Sequence, residues 1–128
     1  MLLNNFYTVL RSAIQDQERT VFITIHPDHP VFEGHFPGQP VVPGVCMVQI
    51  VKELLEQQEG KNLFLRESSQ MKFLQLLTPS EKDELGVTIQ MQPQDNDESL
   101  LRIAASIRRQ DVLIFKMQGI FSESVSSV

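Results

Sequence analysis

The segment between Pro27 and Gly44 constrains this chain more than any other. It holds five of the seven prolines and three of the six glycines. Proline fixes φ and lacks an N–H, and glycine is the residue most costly to order. Neither a helix nor a central strand can occupy such a run. The segment is therefore a loop, and it opens directly into the apolar stretch "VCMVQIVKELLEQQ". At 100° per residue, Met47, Val48, Ile50, Val51, Leu54 and Leu55 gather on one side of a helix from about Val45 to Gln58. Gln49, Lys52, Glu53 and Glu56 form the opposite stripe, which predicts a solvated face. Gly60 supplies the stop.

On either side of this loop and helix the pattern is that of strands. "FYTVLRSAI" is ambiguous: Leu2, Leu3, Phe6, Leu10, Ala13 and Ile14 suit a helical face, whereas Phe6, Tyr7, Thr8 and Val9 favour a strand. The polar run Gln15 to Glu18 reads as a turn. In "RTVFITIH" after it, Val21, Ile23 and Ile25 lie on one face and Phe22 and Thr24 on the other. Beyond the helix, "LFLRESSQMKFLQLL" is a long strand that bends in its middle. "ELGVTIQMQ", "SLLRIAASIRR" and "VLIFKMQGIF" follow, joined by the polar turns "PQDNDES" and "RQD". Two strands, one helix, then several strands define an α+β chain with an antiparallel sheet against one helix. At 128 residues this is a single domain over 1–128, with about 122–128, "SESVSSV", as a frayed tail.

Sixteen acidic residues against eleven basic ones give a net charge of -5, which argues against nucleic-acid binding. An acidic partner needs a local basic patch, for which Arg108, Arg109, Arg66, Lys72 and Lys116 are the candidates; scattered solvated cations are the plainer reading. Apolar runs such as Val45 to Val48 are too short to span a bilayer, so no membrane is expected. "MLLNNFYTVLR" lacks the basic start and long apolar core of a secretory signal. The one cysteine excludes an internal disulfide and fits a reducing compartment, so a cytoplasmic protein is expected.

The three histidines, His26, His29 and His35, fall within ten residues, beside Asp28 and Glu33. Pro27, Pro30 and Pro37 interrupt them, and no familiar zinc spacing is present, so no metal site is expected. His26 and His29 read as capping or surface residues at a strand end. Cys46 reads as a small core side chain. The glycines of "EGHFPG" do not follow a strand-GxGxxG-helix order, so no nucleotide loop and no cofactor is expected.

The order of elements, together with Gly34-His35-Phe36-Pro37-Gly38-x-Pro40-x-x-Pro43-Gly44-Val45, closely resembles the 3-hydroxyacyl-acyl-carrier-protein dehydratases (FabA/FabZ-like). Their hot-dog fold wraps an antiparallel sheet around one central helix. "DHPVFEGHFPG" and "MKFLQLLTP" extend the likeness, although the family's Pro-Gly-Asp reads Pro79-Ser80-Glu81 here. The resemblance makes the N-terminus the first arm of a strand hairpin. It also implies a homodimer or an assembly of dimers, each site built from the His loop of one subunit and the helix of the other. The implied substrate is a 3-hydroxyacyl thioester on acyl carrier protein, with Phe36, Pro37 and Val45 among the substrate-binding residues.

Dehydrating such a thioester needs a base for the proton next to the carbonyl, donors for the enolate oxygen, and an acid for the leaving hydroxide. His35 suits the first task, since a neutral imidazole is the main form at pH 7. Gly44 suits the second, at a helix start whose first N–H groups lack internal partners. At the third the chain departs from the family pattern. The family's helix acid, Glu or Asp, is Gln49 here, an amide that hydrogen-bonds a hydroxyl but has no acidic proton. Four residues on, where the family carries Gln, stands Glu53, on the same helix face. Two readings of Glu53 stay open: a replacement acid, or part of the solvated stripe. The departure also admits an enoyl-thioester isomerase, a thioesterase, or a non-catalytic acyl-carrier-binding subunit.

Overall fold

The computed structural model describes residues 2–33, 40–92 and 99–124. Strands β1 (Tyr7–Gln15) and β2 (Glu18–Ile25) come first. A short 3-10 turn (Pro30–Phe32), the helix α1 (Gly44–Glu59) and β3 (Leu63–Phe73) follow. The chain then runs through β4 (Leu85–Met91), β5 (Leu100–Arg109) and β6 (Val112–Glu123). The strands form one antiparallel sheet in the order β1-β2-β4-β5-β6-β3. One helix against one antiparallel sheet is the expected α+β, hot-dog arrangement.

Alternation along the strands sets the core. Val21 and Ile23 of β2, Val87 and Ile89 of β4, and Ile103 and Ile107 of β5 turn inward and are buried. Phe115 and Met117 of β6 join them against Met47, Ile50, Val51, Leu54 and Leu55 of α1. Burying each such side chain stabilises the fold by roughly 1.5–3 kcal/mol relative to leaving it in water. The helix ends where expected: Gly60 adopts φ +71°, and its N–H bonds the carbonyl of Glu56. That left-handed conformation is open to glycine without a Cβ penalty.

The hairpin reading of the N-terminus holds, with β1 and β2 in register from Tyr7 opposite Ile25 to Gln15 opposite Glu18. The bend expected in the strand after the helix is built from two register shifts in β3, between Leu65 and Glu67 and between Ser68 and Gln70. A bulge adds a residue to one strand and increases its local twist. Gly119 of β6 faces this region, and a Cβ there would lie 2.9 Å from Leu65 Cδ1 and 3.2 Å from the carbonyl oxygen of Glu67. Only glycine leaves room for so close a crossing.

Two expectations are corrected. Residues 122–124 are not a tail. Ser122 is buried and pairs with both Phe64 and Leu100, and the N–H of Ser124 bonds the carbonyl of Asn62. A polar sequence is held in the ladder by its backbone, which composition does not reveal. Glu53 is the second correction. It leaves the solvated stripe and is 2% exposed, because residues 2–7 fold across that side of α1.

Candidate functional site

The start of α1 sits where the loop and the sheet meet. Pro43 precedes the helix with extended backbone and offers no side-chain cap. The amides of Cys46 and Met47 both bond the carbonyl of Pro43. The amides of Gly44 and Val45 precede these bonds, and no described residue accepts from them. They form the partly positive end of a helix. Val45 is 75% exposed and stands beside them. A Cβ on Gly44 would lie 2.7 Å from Phe73 Cε1, so the missing side chain is what admits the Phe73 ring. Phe73 in turn packs on Phe115, ring centres 5.0 Å apart.

The loop that feeds this end is pinned on both flanks. His29 Nδ1 accepts from the amide of Val31 at 3.1 Å, and Phe32 stacks on Phe6 with ring centres 5.5 Å apart. His26 bonds the hydroxyl of Thr8. Both histidines thus do the capping and strand-end work expected of them. On the far side the amide of Val42 bonds the carbonyl of Leu77 at 2.7 Å. His35, Phe36 and Pro37 lie outside the described residues. Cys46 is buried, and burial pushes its thiol up, which suits a packing residue and opposes a thiolate nucleophile.

Gln49 and Glu53 are brought together, and in an unexpected way. Gln49 Nε2 donates to Glu53 Oε2 at 2.8 Å, and the amide of Leu2 donates to the same oxygen at 2.8 Å. Glu53 Oε1 accepts from the amide of Leu3 at 3.0 Å and from the Tyr7 hydroxyl at 3.2 Å. Four donors and no acceptor meet this carboxylate. Both carboxyl oxygens are thus engaged as acceptors. These four partners hold Glu53 away from the solvated stripe. Burial and the neighbouring Glu53 charge push the Tyr7 phenol well up, so it stays a donor at neutral pH.

Tyr7, Leu2 and Leu3 were not foreseen as part of this cluster. They lie some fifty positions from Glu53 in the chain, and no local pattern marks such a pairing. Phe73 was likewise missed; its only signal was an aromatic ending a long strand.

Of the five candidate cations, Lys72, Lys116 and Arg108 fall on the neighbouring strands β3, β6 and β5, two of them in one cavity that Glu18 also lines. Lys72 of β3 lies opposite Lys116 of β6, and Arg108 of β5 shares with Lys116 the lining of a shallow cavity of about 380 Å³. Arg109 is engaged elsewhere, donating to the carbonyl of Thr78 at 2.8 Å.

One antiparallel sheet around a single helix, with an uncapped Pro-Gly helix start, is a hot-dog domain. The family model described as ApeI dehydratase matches residues 11–118, and the chain belongs to this ApeI-like dehydratase family. It is 30% identical over 83 residues to the 3-hydroxyacyl-[acyl-carrier-protein] dehydratase FabZ of Levilactobacillus brevis, covering 59% of this chain and 55% of that protein. It is 34% identical over 70 residues to the FabZ of Wolbachia pipientis, 49% of each chain. The chain thus spans about half the length of the curated relatives it matches. Among solved structures, the dehydratase heterocomplex ApeI:P from Xenorhabdus doucetiae superposes with a TM-score of 0.70 at 20% identity, covering 91% of this chain and 97% of that one. A hypothetical thioesterase with coenzyme A from Streptococcus pneumoniae superposes with a TM-score of 0.64 at 10% identity, covering 98% and 94%. These two likenesses concern the fold.

Proposed function

We propose that this chain is a hydro-lyase of the 3-hydroxyacyl-[acyl-carrier-protein] dehydratase type, working as a homodimer or an assembly of dimers in the cytoplasm. The observation that carries the reading is the uncapped Pro43-Gly44 helix start, with Gln49 on the same helix, in a chain of the dehydratase family. His35 is the base. The Gly44 amide is a donor to the enolate oxygen, and Gln49 holds the substrate hydroxyl. Phe36, Pro37 and Val45 line the acyl path. The proton that His35 takes from the carbon next to the carbonyl leaves with the hydroxide as water, since the Gln49 amide has no acidic proton to give.

Support for a second subunit comes from the sheet edge. β3 leaves one side of its ladder unpaired, and the exposed apolar residues Phe64, Met71, Phe73, Leu74 and Leu76 line it and its continuation. An edge of this length and character is a surface that a second copy covers by strand pairing. The Lys72, Lys116 and Arg108 group supplies the basic patch that an acidic carrier protein needs. For the cytoplasmic assignment the support is the single thiol; in addition, no helix among the described residues is long and apolar enough to cross a membrane.

The test is dehydration of a short 3-hydroxyacyl carrier-protein thioester, followed by enoyl absorbance, with His35→Ala as control. Turnover that falls at least about 100-fold in the variant is the expected result. A second reading, a non-catalytic acyl-carrier-binding subunit, is favoured by the amide at the family's acid position. Carrier binding without turnover by the wild type would replace the first reading with this one. Release of free thiol would point to a thioesterase, and double-bond migration in enoyl thioesters to an isomerase.

A further inference from the structure

We infer that Glu53 is a positioning residue which, clamped by the N-terminal turn, fixes the Gln49 amide with its carbonyl oxygen outward and so makes Gln49 a hydrogen-bond acceptor selective for a substrate hydroxyl. This rests on the reading above, in which Gln49 faces the 3-position of the acyl chain. A primary amide has one donor end and one acceptor end. An ionised carboxylate only accepts, so the end of Gln49 turned to Glu53 must be Nε2, as found at 2.8 Å. The oxygen Oε1 is then the end presented away from Glu53.

The clamp keeps that polarity from reversing. Each Glu53 oxygen already takes one backbone amide, from Leu2 or Leu3, and those donors cannot turn round. Glu53 is 2% exposed, so water does not substitute for a lost partner. An outward acceptor matches the O–H of a 3-hydroxyacyl chain and opposes the carbonyl of a 3-oxoacyl chain, which would set two oxygens face to face without a proton between them. The device is a specificity determinant: it selects the substrate's oxidation level at the carbon that loses water.

Replacing Glu53 by glutamine gives the clamp a donor end of its own. That NH₂ must face either Gln49 and Leu2 or Tyr7 and Leu3. In the first case Gln49 turns over to accept; in the second the Tyr7 hydroxyl rotates to accept. Removing the Tyr7 hydroxyl as well leaves the turnover of Gln49 as the one way to satisfy the new donor. The variants therefore fall in a set order, which simple loss of packing would not produce.

The experiment measures binding of two non-hydrolysable pantetheine analogues, 3-hydroxyacyl and 3-oxoacyl, to wild type, Tyr7→Phe, Glu53→Gln and the double variant, with melting curves to confirm folding. Expected are a preference for the hydroxy analogue of about 10-fold or more in wild type and Tyr7→Phe, a smaller one in Glu53→Gln, and none in the double variant. If the double variant does not fold, a fall in the preference from wild type to Glu53→Gln supports the role, and equal binding of both analogues by the wild type still overturns it. Equal binding of both analogues by the wild type, or a ratio in the double variant unchanged from that of Tyr7→Phe, overturns the positioning role alone. Binding of neither analogue by the wild type overturns the acyl-thioester reading and the role with it.

Discussion

Replacing Gln49 with glutamate sets a second carboxylate where an amide now donates to Glu53 at 2.8 Å. Glu53 is buried and already ringed by donors. Two full charges about 3 Å apart repel by about 5 kcal/mol at an effective dielectric of about 20. One of the pair therefore keeps its proton instead. A carboxyl of ordinary pKa, about 4.3, costs about 4 kcal/mol to hold protonated at pH 7 and about 1 kcal/mol at pH 5. The sign follows from proton counts. Between pH 4.3 and the raised native value the folded variant binds a proton that its unfolded chain has released, so stability falls as pH rises. Urea unfolding of wild type and Gln49→Glu at pH 7 and pH 5 reads this directly. The deficit should be about 4 kcal/mol at the higher pH and shrink to about 1 at the lower. The exchange Gln49→Glu with Glu53→Gln, which restores the family's order, removes the like-charge contact but leaves the amide of Leu2 facing a donor, a penalty of about 1–3 kcal/mol. At pH 7 the exchanged pair should thus be more stable than Gln49→Glu alone. It also returns an acid to the helix, and dehydration should rise by about 100-fold. A Gln49→Glu protein as stable as wild type at both pH values would refute the clamp.

Other consequences are open to measurement. The raised Tyr7 phenol contributes stability that is complete below pH 10 and lost as pH rises above it; Tyr7→Phe should abolish that part of the alkaline loss in denaturation titrations. Gly44→Ala drives a methyl into the Phe73 ring at 2.7 Å and should lower kcat/KM about 10-fold with a cost of about 1 kcal/mol or more in stability. Because the ring is half exposed, Phe73→Ala in the same chain should restore the stability but not the full rate, as melting and kinetic assays would show. Leu76→Lys, at a residue 79% exposed, should shift sedimentation toward the monomer while leaving the monomer's circular dichroism unchanged. The exposed Arg11–Glu84 pair, 2.7 Å apart, should matter little: Glu84→Gln is expected to leave the melting temperature unchanged within error, and a loss of several degrees would contradict the screening of surface pairs.

Local patterns in the chain were enough for the elements. Period-two alternation in β2, β4, β5 and β6, and the single 3.6-residue period after Gly44, correspond to faces that must meet the core, so these strands and the helix were legible within a residue or two. β1 was ambiguous with a helix until the family resemblance settled it, and β3 ends at Phe73, four residues before the end of the stretch read for it. The helix stop at Gly60 was legible because it depends on a backbone conformation that only certain residues adopt. The Pro43-Gly44 helix start followed from the same local rules. Glu53 was misread because a helix wheel records which residues share a face, not what later covers that face. A carboxylate beside Lys52 and Glu56 has the sequence character of a solvated stripe. Its burial is set by residues 2–7, which return across the helix once β1 has paired with β2. The fate of Ser122 likewise rests on partners in β3 and β5 that are distant in sequence. The meaning of Gln49 belongs to the same class. An amide has two chemically opposite ends, and its identity in the sequence leaves open which end faces a substrate. The folded chain fixes that choice by setting a buried acceptor, Glu53, against one of them.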